Sequence, residues 1–152
     1  MRVLICGSRS WADYDAIEIL VKSFEKSTVV IQGMCRGADL MAKNAALKHE
    51  LAVEDYPAEW ERFGKSAGPI RNAQMLEEGA PDIVYAFHSD ISRSKGTKDM
   101  VEKARAKGIP VILNGGEVDG WARASVRTIS VGKGWPFATV PQQEQDIKCI
   151  NL

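Results

Sequence analysis

Apolar, β-branched runs recur along the first 115 residues: RVLICG at 2–7, TVVIQG at 28–33, LAVEDY at 51–56, DIVYAF at 82–87 and IPVILNG at 109–115. Each has the length of a buried strand. Between them the apolar period lengthens to that of a helix. Ile17, Leu20, Val21 and Phe24 form one stripe, Met41, Ala42 and Ala45 a second, and Met100, Val101 and Ala104 a third. This alternation predicts an α/β, Rossmann-like architecture: a mainly parallel sheet of about five strands, with helices on both faces and right-handed crossovers. After Gly115 the pattern weakens. Residues 115–152 mix Gly, Pro and polar residues with short apolar patches at 126–131 and 137–140. They read as a C-terminal extension of one or two edge strands plus a tail, packed on the same domain. No repeat or second domain boundary is evident.

In a parallel sheet, ligands collect beyond the carboxyl ends of the strands, near the point where strand order reverses. The connections after the first, second and fourth strands, GSRSWADYD, GMCRGADLM and HSDISRSKGTKDM, therefore deserve the closest reading. A strand ending in glycine lets backbone approach a ligand, and a helix starting there aims free N–H groups at an anion. Gly7, Gly33 with Gly37, and Gly96 occupy such positions, and around them stand Ser8, Arg9, Arg36, Asp39, Lys95 and Thr97. These supply the hydroxyls and charge-assisted donors that phosphate and ribose oxygens accept. Singly each signal is weak, because Gly-Thr before a helix is an ordinary cap and a loop arginine is ordinarily solvated. Three such loops on one rim make an anion site the better reading.

The segment YPAEWERFGKSAGPIRNAQM, 56–75, reads as a polar-aromatic loop leading into a helix with Pro69 near its start. Arg71 would then face the same rim, and Asn72 could bond a ribose or a base edge. Tyr56, Trp60 and Phe63 are assigned to covering the core rather than stacking on a base.

Charge narrows the partners. The 20 basic and 20 acidic side chains of the 152-residue chain cancel, so no global field draws it to nucleic acid or an anionic membrane, and an anion site must be local. No segment approaches ~18 consecutive apolar residues, and no signal sequence is visible, which points to a cytoplasmic protein. Cys6, Cys35 and Cys149 are too widely spaced for a zinc site, and with only His49 and His88 as imidazoles no metal is expected. Cys35 beside Arg36 suits a reactive thiol but has no partner base, and Cys6 reads as core. His88 follows the fourth strand and faces the rim, as a loop histidine rather than an acid. His49 suits the negative end of its helix. The chain has neither GxGxxG after its first strand nor GxxxxGK[ST], which removes the standard dinucleotide and Walker-type fingerprints.

Taken together, CGSRSW, GMCRGAD, YPAEWERFGKSAGPIRNAQM and SKGTKDM resemble the YspA-like branch of the SLOG superfamily, Rossmann-like proteins related to the LOG phosphoribohydrolases and to the DprA fold. The resemblance covers residues 1 to about 114, which makes 1–114 a nucleotide-binding domain. It implies a nucleotide or nucleotide-derived ligand at the strand tips, with either N-glycosidic hydrolysis or recognition of a signal molecule, and a homo-oligomer. Arg71 matches the arginine of the hydrolases' RKxxM motif, here RNAQM. The wider family's PGGxGTxxE loop appears as SRSKGTKDM, which keeps Gly96 and Thr97 but lacks the glycine pair. The YspA-like branch commonly has glycine and alanine where this chain has Met34 and Cys35. The hydrolases' glutamate falls at Met100, and a thioether cannot exchange a proton. Asp99, one residue away, points about 100 degrees around the helix and substitutes poorly.

The preferred reading is thus a protein that binds an ADP-ribose-like compound or cyclic nucleotide as sensor or sequestering agent, with no separate cofactor and no assigned catalytic residue. The alternative is a nucleotide N-glycosidase or phosphoribohydrolase. Single-stranded DNA binding ranks last, since neutrality leaves no extended basic track.

Overall fold

The computed structural model describes residues 1–116. The expected edge strands at 126–131 and 137–140, and Cys149, lie outside the described residues.

Five strands form one parallel sheet in the order β3-β2-β1-β4-β5. They are β1 (Arg2–Gly7), β2 (Val29–Gln32), β3 (Ala52–Asp55), β4 (Ile83–Phe87) and β5 (Val111–Leu113). Every apolar run of the sequence yields one of them. β1 and β4 are almost wholly buried, as strands covered on both faces must be, whereas the edge strand β3 is half exposed and carries polar residues. Glu54 on that edge pairs with Arg2 at 2.6 Å, and Asp55 pairs with Lys43 at 2.5 Å.

Five α-helices connect the strands: α1 (Tyr14–Lys22), α2 (Ala38–Lys48), α3 (Trp60–Phe63), α4 (Ala67–Glu77) and α5 (Lys95–Ala106). Short 3-10 turns at Gly64–Ser66 and Ile91–Arg93 precede α4 and α5. Asp13 caps α1 through Ala16 N–H at 3.0 Å, and Ser94 caps α5 through Thr97 N–H at 3.0 Å. One core layer packs Ile17, Leu20 and Val21 of α1 and the alanines of α2 on Val3, Ile5, Val30 and Tyr85. The other packs Met75 and Leu76 of α4 with Met100, Val101 and Ala104 of α5 on Leu4, Ile31, Val84 and Val111. Helices therefore cover both faces, as alternation requires. Phe24, the last residue of the first stripe, lies beyond the end of α1 and packs on Tyr85, with ring centroids 5.9 Å apart. No described helix is long and apolar enough to cross a membrane.

Strand order reverses between β1 and β4, because β2 lies on one side of β1 while β4 lies on the other. The tips of these two strands therefore splay their following loops apart and open a crevice.

Candidate functional site

A cavity of about 520 Å³ occupies that crevice. Its floor is the end of β1, Cys6 and Gly7, together with buried Met75 and Met100. Its walls are the loop after β1 (Ser8, Arg9), the start of α3 (Trp60), Lys65, the first turns of α4 (Gly68, Pro69, Arg71, Asn72), His88 after β4, and the segment Arg93–Thr97. Nine of the twelve residues expected at an anion site line it: Gly7, Ser8, Arg9, Asp39, Arg71, Asn72, Lys95, Gly96 and Thr97.

The other three do not. Arg36 is exposed and lies away from the cavity, so it is no part of this wall. Gly33 and Gly37 serve close packing instead. A side chain on Gly33 would collide with the Arg71 guanidinium and lie 2.8 Å from Asp39 Oδ2. Gly37 has φ 81, where glycine is favoured, and a Cβ there would meet the Ser8 carbonyl and approach the Arg9 carbonyl to 2.8 Å. The start of α2 consequently turns to the neighbouring loop: Ala38 N–H donates to Ser8 O at 3.2 Å.

Asp39 takes up backbone donors at two of the three glycine corners. Its buried carboxylate accepts the N–H of Gly33 at 3.1 Å and those of Cys35 and Gly7. The acid itself fills the cradle in which a ligand phosphate was expected. Burial raises its pKa to about 6, against the opposing pull of Arg71 and these N–H bonds. Asp39 thus braces the strand tips while lining the cavity.

Arg71 is also largely engaged. Its Nη1 donates to Gly33 O and to Tyr56 O at 3.4 Å, its Nε to Asn72 Oδ1 at 3.2 Å, and its Nη2 lies 3.6 Å from Cys35 Sγ. Of the five donors on a guanidinium, one remains for the cavity. The Asn72 amide donates to Gly96 O at 3.2 Å and to Asp99 Oδ2 at 2.9 Å, which ties α4 to α5 instead of reading a base.

The third corner stays open. Nothing lies within 4 Å of the point where a Gly96 Cβ would sit. Ser94 takes the Thr97 N–H, leaving the first turn of α5 to present its remaining donors beside Lys95. Ser94 could have been found from the sequence as the N-cap of SRSKGT. Lys65 and Arg93, which the loop reading did not select, bring further positive charge.

Trp60 and Phe63 depart from their expected role. They are 47% and 36% exposed, and α3 contributes no buried residue, so neither covers the core. Four residues make too short a helix to present an apolar stripe. Tyr56 does pack against the core, as expected. Met34 adopts φ 58, a conformation that favours glycine. Met100 is buried in the cavity floor, while Asp99 is held by Lys103 at 2.8 Å and by Asn72. His88 Nδ1 accepts the Asp90 N–H at 2.9 Å. Among the described residues no cluster of three or more His, Cys, Asp or Glu side chains could hold a metal ion.

Comparison with known proteins agrees with this fold. Residues 1–63 match the sequence profile of the YspA, cpYpsA-related SLOG family. The chain is 39% identical over 120 residues to the Gene 61 protein of Mycobacterium phage D29, a match covering 73% of this chain and 94% of that one. The X-ray structure of DNA processing protein A (DprA) from Streptococcus pneumoniae has the same fold, with a TM-score of 0.61 at 19% identity over 74% of this chain. The matched region is 49% of DprA, so the chain spans about half the length of that protein. With its profile match, its relative and its splayed-tip sheet in accord, the chain belongs to the YspA, cpYpsA-related SLOG family.

Proposed function

We propose that the cavity binds a nucleotide-derived small molecule, ADP-ribose-like or a cyclic nucleotide, and that the protein senses or sequesters it. One observation carries this reading. Arg9, Lys65, Arg93 and Lys95 all line the cavity, and none has an acidic partner among the described residues. Elsewhere cations are commonly paired, as in Arg2 with Glu54, Lys43 with Asp55 and Lys103 with Asp99. In a chain of zero net charge, unpaired cations gathered around a cavity of about 520 Å³ favour a compact anion of nucleotide size.

The hydrolase alternative draws less support. The position of the hydrolases' glutamate is a thioether, and Asp99 does not line the cavity and is engaged by Lys103 and Asn72. DprA is named a DNA processing protein, whereas Arg9, Lys65, Arg93 and Lys95 here line one cavity, which favours a compact ligand over a long strand.

The test is mass spectrometry of small molecules carried by the purified protein, followed by calorimetric titration of ADP-ribose and cyclic mononucleotides. A charge-assisted contact is worth ~1.5–3 kcal/mol, so Lys95→Ala weakens binding roughly tenfold or more. Release of free base from a nucleotide by the wild-type protein would replace this reading with the hydrolase.

A further inference from the structure

The mouth of the cavity carries one large aromatic side chain with no part in the core. Trp60 opens α3, is 47% exposed and lines the cavity. A Cβ built on Gly68 would lie 3.4 Å from its Cη2, so the edge of the indole rests on a bare turn of α4. From the opposite wall the Arg9 guanidinium stands 5.5 Å from the ring centroid. Arg9 has no hydrogen bond or ion pair among the described residues, which leaves this cation–π contact as its hold.

We propose that Trp60 is the stacking platform for the planar heterocycle of the ligand, so that the cavity selects a phosphorylated compound bearing a nucleobase over a bare sugar phosphate. The inference rests on the anion-binding reading above and narrows it. An indole face covered only by a solvated guanidinium is readily exchanged for a base. Base–aromatic stacking changes affinity by roughly tenfold to a hundredfold per base, more than an exposed cation–π contact returns. The exchange also releases Arg9, a planar donor, to the phosphate of the same ligand. Because α3 buries no residue, Trp60 can be changed without disturbing the core.

Calorimetric titration with adenosine and guanosine 5′-monophosphates and with ribose 5-phosphate tests this. The wild-type protein is expected to bind at least one nucleotide tenfold or more tighter than ribose 5-phosphate, with quenching of tryptophan fluorescence. Trp60→Ala is expected to weaken the nucleotide to the level of the sugar phosphate, leave the sugar phosphate unchanged and abolish the quenching, whereas Trp60→Phe retains most of the preference. Equal binding of all probes by the wild type, or a preference that survives in Trp60→Ala, overturns the stacking role. In either case a Lys95→Ala variant that weakens every probe leaves the anion site standing. Failure of all three probes to bind the wild type overturns the stacking role, and failure of ADP-ribose and cyclic mononucleotides as well overturns the anion site.

Discussion

Gly33 sits where two oppositely charged side chains cross the tip of β2, and its missing side chain is what lets them. The Arg71 guanidinium donates to its carbonyl and the Asp39 carboxylate accepts its N–H. A methyl group would force itself between them, so Gly33→Ala is expected to cost about 1–3 kcal/mol by overpacking, read as a lower denaturant midpoint at unchanged slope. Asp39 gives a pH signature of definite sign. Its folded pKa, about 6, lies above its ordinary 3.8, so between these values the folded protein holds more protons than the unfolded one. Its contribution to stability is therefore complete below about pH 4 and lost as pH rises through about 6. At 1.36 kcal/mol per unit the loss is about 3 kcal/mol. Unfolding measured from pH 4 to pH 7 should show the wild type losing stability relative to Asp39→Asn as pH rises, on top of the opposite trend set by the lowered pKa values of Glu18, Glu50 and Glu54.

At the scale of elements, the start of α5 matters most, since its first turn, Lys95 to Thr97, lines the cavity. Ser94 holds its first turn through the Thr97 N–H. Ser94→Ala is expected to cost about 1 kcal/mol, seen as a lower Tm, and to weaken anion binding by loosening the turn that presents Gly96. The strands and the rim they define were legible in the sequence because each buried strand is a continuous apolar run, and the three loops after β1, β2 and β4 follow from alternation alone. The division of labour within the rim was not legible. Asp39 and Arg36 are both loop-adjacent charges in the same motif, yet one is buried against three N–H groups and the other faces solvent. Only the path of the chain around Gly37 decides which. The exposure of Trp60 is not legible, because aromatic residues ordinarily bury and the brevity of α3, which removes any core face, leaves no periodic signal.

Over the whole molecule, charge is balanced in sum and uneven in place. Binding of small anions should weaken with added salt, through the few cations of the cavity, and stop improving once the ligand fills it. A 20-nucleotide single strand is therefore expected to bind no tighter than a dinucleotide, and a steep salt slope that grows with oligonucleotide length would instead indicate a DNA track. The two sides of the cavity also differ in how firmly they are built. Asn72 joins α4 to Gly96 and Asp99, and Lys103 reaches across to Pro69 O at 3.0 Å, which locks α4 and α5 together. On the other side α3 buries nothing and is capped by Gly64, with φ 52 and open space where its Cβ would sit. Hydrogen exchange should accordingly run much faster at 60–66 than at 70–77. For the proposed ligand, exchange is therefore expected to run past α3, and substitutions there should alter dissociation rates while leaving Tm in place.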